Sequence, residues 1–415
     1  MVRGERNMQF LKGNNLPRVK SSNQSAILRM IYYYGPIQRA EIAERLELTL
    51  PTITTNINKM LEEGLVRQVN AAHISGAANG RRAALLEINA GSEFFVGVEL
   101  VGEQWSVCVA DFCGQILSSR CGEVRDKSYE AVMRQFADSY AECLAESRKR
   151  PEDICGVGIG LPGLIDRENG TLWKNSTFQW SNKKVRQDFA ALTGYRGRIT
   201  VENNATARGI SAQIFHWKEL ARGRSFAYML VASGIACPVF LNNSGYRGSV
   251  VGTGEAGHMV IDPHGRSCNC GNRGCLEAYA SERSIINECI NEMHQERAVT
   301  LSRLCVDSER PTMEEILRAQ QEGDRDVGRV IEEAIYILAI AMSNIINFTR
   351  PDTMLVDCKL FTSMNNRNLL LNKSKSALCN PTFYGADIRF AEAGNFANAL
   401  GGVAVAIDEK LENVE

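Results

Sequence analysis

Apolar positions in the first 90 residues recur with a helical period, and further on they take the period of strands. Ile27, Leu28, Ile31 and Tyr34 share one face of a helix expected over Ser22–Tyr34, which Gly35-Pro36 ends. Ile42, Ala43 and Leu46 repeat the pattern in a second helix over Ile37–Leu46. A third begins near Pro51, a residue tolerated in a first turn, and stops at Gly64. Its inward face is Ile53, Ile57, Met60 and Leu61; Thr52, Thr55, Asn58 and Lys59 lie opposite, with Asn56 on the flank. Two short strands follow, Leu65–Gln68 and Ala84–Ile88, joined by a loop containing Gly76, Gly80, Arg81 and Arg82. From Phe94 the pattern predicts strands over Phe94–Leu100, Gln104–Ala110 and Gln115–Arg120. A helix over Tyr129–Arg148 and an apolar strand over Ile154–Ile159 come next.

Three helices and a two-stranded hairpin read as a winged helix-turn-helix over residues 21–90. The third helix offers small hydrogen-bonding side chains and one cation, groups suited to major-groove edges and phosphates. Thr52, Thr55, Asn56, Asn58 and Lys59 are therefore the expected DNA-reading set, with Arg81 and Arg82 of the wing on the backbone. Charge agrees with this. Residues 1–90 hold 12 Lys/Arg against 7 Asp/Glu, whereas the remainder holds 35 against 41, a split hidden by the net charge of −1. Arg3, Arg6, Lys12, Arg18 and Lys20 mark residues 1–20 as a basic arm without apolar periodicity. The competing reading is a three-helix module that packs on another protein.

The chain is 415 residues long, 44% hydrophobic and 23% charged, which suits a globular protein of two or three domains. It carries no leader-like start and no run of about 18 apolar residues, so a cytoplasmic protein with no membrane partner is expected. The most apolar stretch, Ala334–Phe348, is broken by Ser343, Asn344 and Asn347 and reads as a buried helix. Most of the 13 cysteines, such as Cys108, Cys155 and Cys289, stand singly in apolar runs as reduced core residues. Cys268, Cys270 and Cys275 differ. Their Cys-x-Cys-x4-Cys spacing lies among Gly265, Gly271 and Gly274, and His258 stands just upstream. One imidazole and three thiolates with no open position indicate a structural tetrahedral zinc site.

Four motifs follow one another in order. They are Gly158-Ile159-Gly160-Leu161-Pro162-Gly163-Leu164-Ile165-Asp166, Val201-Glu202-Asn203-Asn204-Ala205, Gly254-Glu255-Ala256-Gly257-His258, and the run Cys268 to Glu277. In this order and spacing the chain resembles the ROK family of repressors and sugar kinases over nearly its whole length. The winged helix, with Asn79-Gly80-Arg81-Arg82 leading into Leu85 to Asn89, is similar to the family's regulator branch. The resemblance implies an α/β fold in which the winged helix precedes a two-lobed, actin-like, sugar-kinase-like domain. The first lobe would span 91–205 plus 391–415, and the second, carrying the metal loop, 206–390. It also implies a sugar or sugar phosphate effector bound by Gly163, Asn203, Asn204, Glu255, His258 and Glu277. Duplex operator DNA, an inverted repeat read by a homodimer or homotetramer, is the implied macromolecular partner.

The chain departs from the kinase pattern where chemistry would occur. The family's catalytic aspartate position is Asn204, an amide without useful basicity. Glu99-Leu100-Val101-Gly102-Glu103 stands at the first phosphate loop, with Glu103 expected to repel a triphosphate. Ser233-Gly234-Ile235-Ala236-Cys237-Pro238 stands at the second, and Asp357-Cys358-Lys359 where a third glycine run would follow a strand. The reading is a regulator, expected to repress carbohydrate genes, with no catalytic residues. Its alternatives are an active sugar kinase with an accessory winged helix, and a regulator answering to a protein partner.

Overall fold

The structure, a computed structural model, describes residues 16–70, 84–220, 225–241, 244–246, 251–305, 310–377, 386–391 and 399–413. They fall into two compact units, Met1–Ser92 with Glu409–Glu415, and Glu93–Asp408.

In the first unit α1 (Leu16–Tyr34), α2 (Arg39–Leu46) and α3 (Leu50–Glu62) precede an antiparallel pair, β1 (Val66–Asn70) and β2 (Ala84–Ile88). Ile27, Leu28, Ile31, Ile42, Ile53, Ile57 and Leu86 are fully buried between them. Helix α3 starts where Thr49 caps it, its hydroxyl accepting from the Thr52 amide, and Pro51 sits in the first turn. Gly64, at φ +75°, then lets the chain leave the helix for β1. Helix α1 begins earlier than the apolar period suggested. Leu16–Lys20 belong to it and not to an extended arm, because nothing between Arg18 and Ser22 breaks a helix and Pro17 suits its first turn. The last residues of the chain join this unit, where Ser25 Oγ donates to the Glu412 carbonyl at 2.9 Å and Arg29 lies 3.4 Å from the Glu412 carboxylate. The wing residues Arg81 and Arg82, and the arm up to residue 15, lie outside the described residues.

The second unit opens on the meander β3 (Phe94–Val101), β4 (Gln104–Asp111) and β5 (Ile116–Glu123). Then come α4 (Tyr129–Ser147), β6 (Ile154–Leu161) and a small sheet of β7 (Leu164–Asp166), β8 (Thr171–Asn175) and β9 (Trp180–Lys183). After α5 (Val185–Thr193), β10 (Arg198–Asn203) completes a five-stranded sheet of order β10-β6-β3-β4-β5. Helices α6 (Asn204–Phe215) and α7 (Trp217–Leu220) lead to a second sheet. Its strands are β11 (Ser225–Val231), β12 (Ile235–Ala236), β13 (Val239–Leu241) and β14 (Ser244–Gly245), followed later by β15 (Thr353–Cys358) and β16 (Asp387–Phe390). Between β14 and β15 run α8 (Glu277–Ala280), α9 (Glu282–His294), α10 (Val299–Leu304), α11 (Met313–Gln321) and α12 (Arg325–Thr349); α13 (Met364–Ala377) precedes β16, and α14 (Leu400–Glu412) closes the chain.

Each sheet has its own core. On the first, α4 lays Val132, Phe136, Tyr140 and Cys143 against Val96, Val98, Val107 and Val157. Part of α14 packs so closely on the same sheet that a methyl group on Gly158 would lie 1.9 Å from the Gly402 carbonyl. On the second, α12 buries Val327, Ile331, Ile335, Leu338, Met342 and Ile346, each such side chain stabilising by roughly 1.5–3 kcal/mol. By length and composition alone α12 could cross a membrane, but 56% of its most apolar window is buried against this core. Tyr336 and Phe348 depart from the expected burial, at 51% and 90% exposure.

Candidate functional site

Strands β6 and β10 are parallel with Leu161 opposite Asn203, so their C-terminal ends bring Pro162-Gly163 and Asn203-Asn204 side by side. Gly163 is at φ +111°, and a Cβ there would meet the Lys174 carbonyl at 2.4 Å; only glycine fits. Asn203 caps α6, its Oδ1 accepting from the amides of Ala205 and Thr206, while its Nδ2 donates to the Gly163 carbonyl at 3.0 Å. Asn204 is buried, donating to the Leu100 carbonyl at 3.0 Å and accepting from the Ala205 amide. Both amides thus brace the wall that they form.

The opposite wall comes from the second sheet and its helices. Ala232-Ser233-Gly234 turns β11 into β12, Glu255 precedes the 3-10 turn Ala256–His258, and Glu277 opens α8. Together the walls enclose a cavity of about 230 Å³ that reaches Gly163, Asn203, Asn204, Glu255, His258 and Glu277. That is below the roughly 300–1,000 Å³ of drug-sized pockets and suits a small polar ligand. Burial, reinforced by the Glu277 charge, pushes the Glu255 carboxyl up to about 7. Sequence reasoning missed Lys174, Asn175, Ser176 and Thr177 from β8 and the turn after it, and Arg283 from α9, all of which line the cavity. No period or motif marks these residues as cavity-lining.

The metal-type residues come together beside the cavity. Ligand atoms of His258, Cys268, Cys270 and Cys275 all lie within 4.8 Å of one another. The Cys270 and Cys275 sulfurs are 3.7 Å apart and Cys268 Sγ is 3.8 Å from His258 Nδ1. Tetrahedral metal–sulfur bonds of about 2.3 Å separate two sulfurs by roughly 3.8 Å, so the Cys270–Cys275 spacing matches that of two ligands of one ion and the four residues could hold a metal. Gly271 and Gly274, both at positive φ, shape the loop; a Cβ on Gly274 would overlap the Asp262 carbonyl. Glu255 Oε2 lies 3.9 Å from His258 Nε2 and Glu277 Oε1 lies 3.8 Å from Nδ1, so the two carboxylates flank the imidazole.

The expected phosphate-site residues sit differently from the sequence reading. Glu103 lies in the turn between β3 and β4, partly exposed, with a carboxylate oxygen 2.6 Å from Lys127 Nζ. Asp357 is the penultimate residue of β15, not a turn, and binds Arg208 Nη1 and the Tyr228 hydroxyl, each at 2.8 Å. The buried acid is Glu99, with Oε1 3.7 Å from Arg208 Nε. Ile235 is buried in the β11–β12 hairpin.

In the first unit, Thr55 and Asn58 are exposed on α3 and Thr52 and Lys59 half-buried. Asn56 is not available to DNA. It is buried, and its Nδ2 donates to the Thr52 carbonyl at 2.8 Å, because the helical turn carries it to the Ile53–Ile57–Met60 side.

Comparison with known proteins agrees with both units. Residues 20–69 match the MarR family and residues 95–409 the ROK family. The xylose repressor of Caldicellulosiruptor bescii is 25% identical over 402 residues, covering 95% of this chain and 97% of that protein. A crystal structure of a ROK family transcriptional regulator, a homologue of the Escherichia coli MLC protein, superposes with a TM-score of 0.74 at 21% identity, covering 95% and 97% of the two chains. A ROK family glucokinase from Streptomyces griseus, solved with glucose and AMPPNP, gives 0.62 at 21% identity, covering 76% of this chain and 98% of its own. A winged helix thus precedes an actin-like, sugar-kinase-like domain, and the chain belongs to the ROK family.

Proposed function

We propose that the chain is a DNA-binding transcriptional regulator whose kinase-like domain senses a sugar or sugar phosphate and transfers no phosphate. The observation that carries this reading is the pairing of a MarR-like unit with a ROK cavity in which an amide, Asn204, stands where a kinase needs a carboxylate. Thr52, Thr55, Asn58 and Lys59 read base edges and phosphates of duplex operator DNA, with Arg81 and Arg82 assigned to the wing's backbone contacts. A homodimer or homotetramer in the cytoplasm, reading an inverted repeat, suits this role.

In the cavity, the Glu255 and Glu277 carboxylates accept from vicinal hydroxyls, and Gly163, Asn203 and Asn204 supply the facing wall. His258 and the three cysteines hold a structural zinc ion, which fixes the loop from which Glu277 projects. A ligand touching both walls changes DNA affinity only through its differential affinity for two arrangements of the protein.

The experiment is selection from random duplex DNA by the full chain, followed by binding to the selected site with a panel of sugars and their phosphates. An enriched inverted repeat and one sugar that changes affinity by about 5–150-fold are expected. Glu255→Ala should keep DNA affinity within about twofold and lose the sugar response. Absence of any sequence preference sinks the proposal.

A second expectation separates regulator from kinase. Asn204→Asp restores a carboxylate, yet no ATP-dependent phosphorylation should appear with any sugar of the panel. A general base adds roughly 10²–10⁴-fold only to a bound nucleotide. The segments Glu99 to Glu103 and Ser233 to Pro238 lack the glycine pattern that lets backbone amides approach a triphosphate. Turnover by the wild type would reverse the assignment.

A further inference from the structure

The geometry points to Arg39 as a positioning residue that sets the base preference of Asn58, an inference that rests on the DNA-reading role proposed for α3. Arg39 is the first residue of α2, and its Nη2 donates to Asn58 Oδ1 at 3.1 Å across the helix-turn-helix. Other basic residues of this unit face carboxylates: Arg45 is 2.6 Å from Glu41, Lys59 3.4 Å from Glu63, and Arg67 2.7 Å from Glu87. Arg39 instead holds a neutral amide. No ion pair with a carboxylate is seen for it among the described residues.

The consequence lies in which atoms Asn58 has left. An asparagine that reads adenine in the major groove accepts from N6–H and donates to N7, using both ends of its amide. Here a guanidinium occupies the Oδ1 end, so the exposed end is Nδ2 with its two hydrogens. One Oδ1 lone pair remains, but that oxygen is shared with a cation, whereas both Nδ2 hydrogens are open, which suits an edge made of acceptors, the O6 and N7 of guanine. Beside it, the Thr55 hydroxyl donates back to the Pro51 carbonyl at 3.0 Å and is not available as a donor. Asn58 then presents two neutral donors on this surface, and Arg39 decides which way its amide points. Adenine is disfavoured at the Asn58 position for as long as Arg39 holds Oδ1.

The test is random-duplex selection with the full-length wild type, Arg39→Ala, Asn58→Ala and the double variant, each measured also for salt dependence. Both side chains are on the surface, so the fold tolerates the changes. The wild type should prefer G·C at one base pair of each half-site by about tenfold, as expected for one base-reading side chain. Arg39→Ala should lose or reverse that preference toward A·T at this pair alone. Asn58→Ala should abolish it, and adding Arg39→Ala to Asn58→Ala should change nothing further. A uniform loss of affinity on Arg39→Ala, with unchanged base preference and a salt slope lower by about one, would make Arg39 a phosphate contact and overturn the inference. An adenine preference at that pair in the wild type would overturn it too. If the wild type selects no sequence at all, the regulator reading itself fails, a result distinct from either.

Discussion

Stripping the metal from the full-length protein with a chelator, or replacing Cys275 by serine, should lower the melting temperature of the second unit by about 10 °C. The expectation follows from where the ligands sit. Cys275 is fully buried and Cys268 nearly so, at 8% exposure, while the loop between Asp262 and Gly274 contributes no residue to the apolar core apart from Cys268. Without an ion, burial would force Cys268 and Cys275 to stay protonated, since both thiols are pushed above their ordinary value by desolvation. Three thiols and an imidazole replace bonds that in structural zinc sites are worth roughly 10 kcal/mol or more. Part of that loss is recovered because the surrounding core persists. Leu276 and Ala280, fully buried in the same core, follow directly and would loosen with the loop. Metal analysis should give one ion per chain for the wild type and none for Cys275→Ser. The variant's sugar affinity should fall as well, because Glu277 is held between the loop and the cavity. A metal-free preparation melting within about 2 °C of the loaded protein would refute a structural role for the cluster.

What could be read from the chain beforehand was whatever local pattern controls. The three helices of the first unit, the β3–β4–β5 meander and the end points of β6 and β10 follow from apolar period and from glycine and proline stops, so their positions were legible within a few residues. The metal cluster was legible because its ligands are close in sequence and chemically distinctive. Residues whose role depends on a distant partner were not. Asn56, on the flank of the helix, and Asn58, opposite the core, were both expected to read DNA, but the helical turn buries the first and exposes the second. Glu103 pairs with Lys127, 24 residues on, and nothing in the local pattern announces that partner. Meanwhile Glu99, which reads as one polar residue in an apolar strand, is the buried one. Its partner Arg208 is separated from it by seven strands and two helices of sequence. Lys174 and Arg283 reach one cavity from separate elements, with no spacing between them that a motif could record.

The Glu99 cluster has a measurable consequence in pH. Glu99 is 1% exposed and neither of its oxygens accepts a hydrogen bond among the described residues. Gly401 lies so close that a Cβ there would fall 2.1 Å from Oε1, so the backbone of α14 helps to exclude solvent. Charged and titratable groups reach it from α6, β15, β11 and β4 as Arg208, Asp357, Tyr228 and Cys108. Burial dominates, the Arg208 charge opposes it and the Asp357 charge adds to it, and the carboxyl rises from an ordinary 4.5 to about 7. A carboxyl with a raised pKa binds its proton more tightly in the folded state than in the unfolded one. Its contribution to stability is therefore complete below about pH 4.5 and declines as pH rises to about 7, beyond which the loss is constant. At about 1.4 kcal/mol per unit, the decline amounts to roughly 3 kcal/mol. Glu255 and Glu282, both raised to about 7 by burial, slope the same way, so the wild-type profile alone does not isolate Glu99. Glu99→Gln does. Glutamine has the shape of the protonated acid and no charge to bury, and Asp357 still pairs with Arg208 at 2.8 Å. The variant should match the wild type near pH 5 and exceed it by up to about 3 kcal/mol at pH 8, with melting midpoints that converge in acid and separate by several degrees in base. Parallel curves across that range would mean that Glu99 stays ionised and solvated in the native protein, contrary to its position beneath α14.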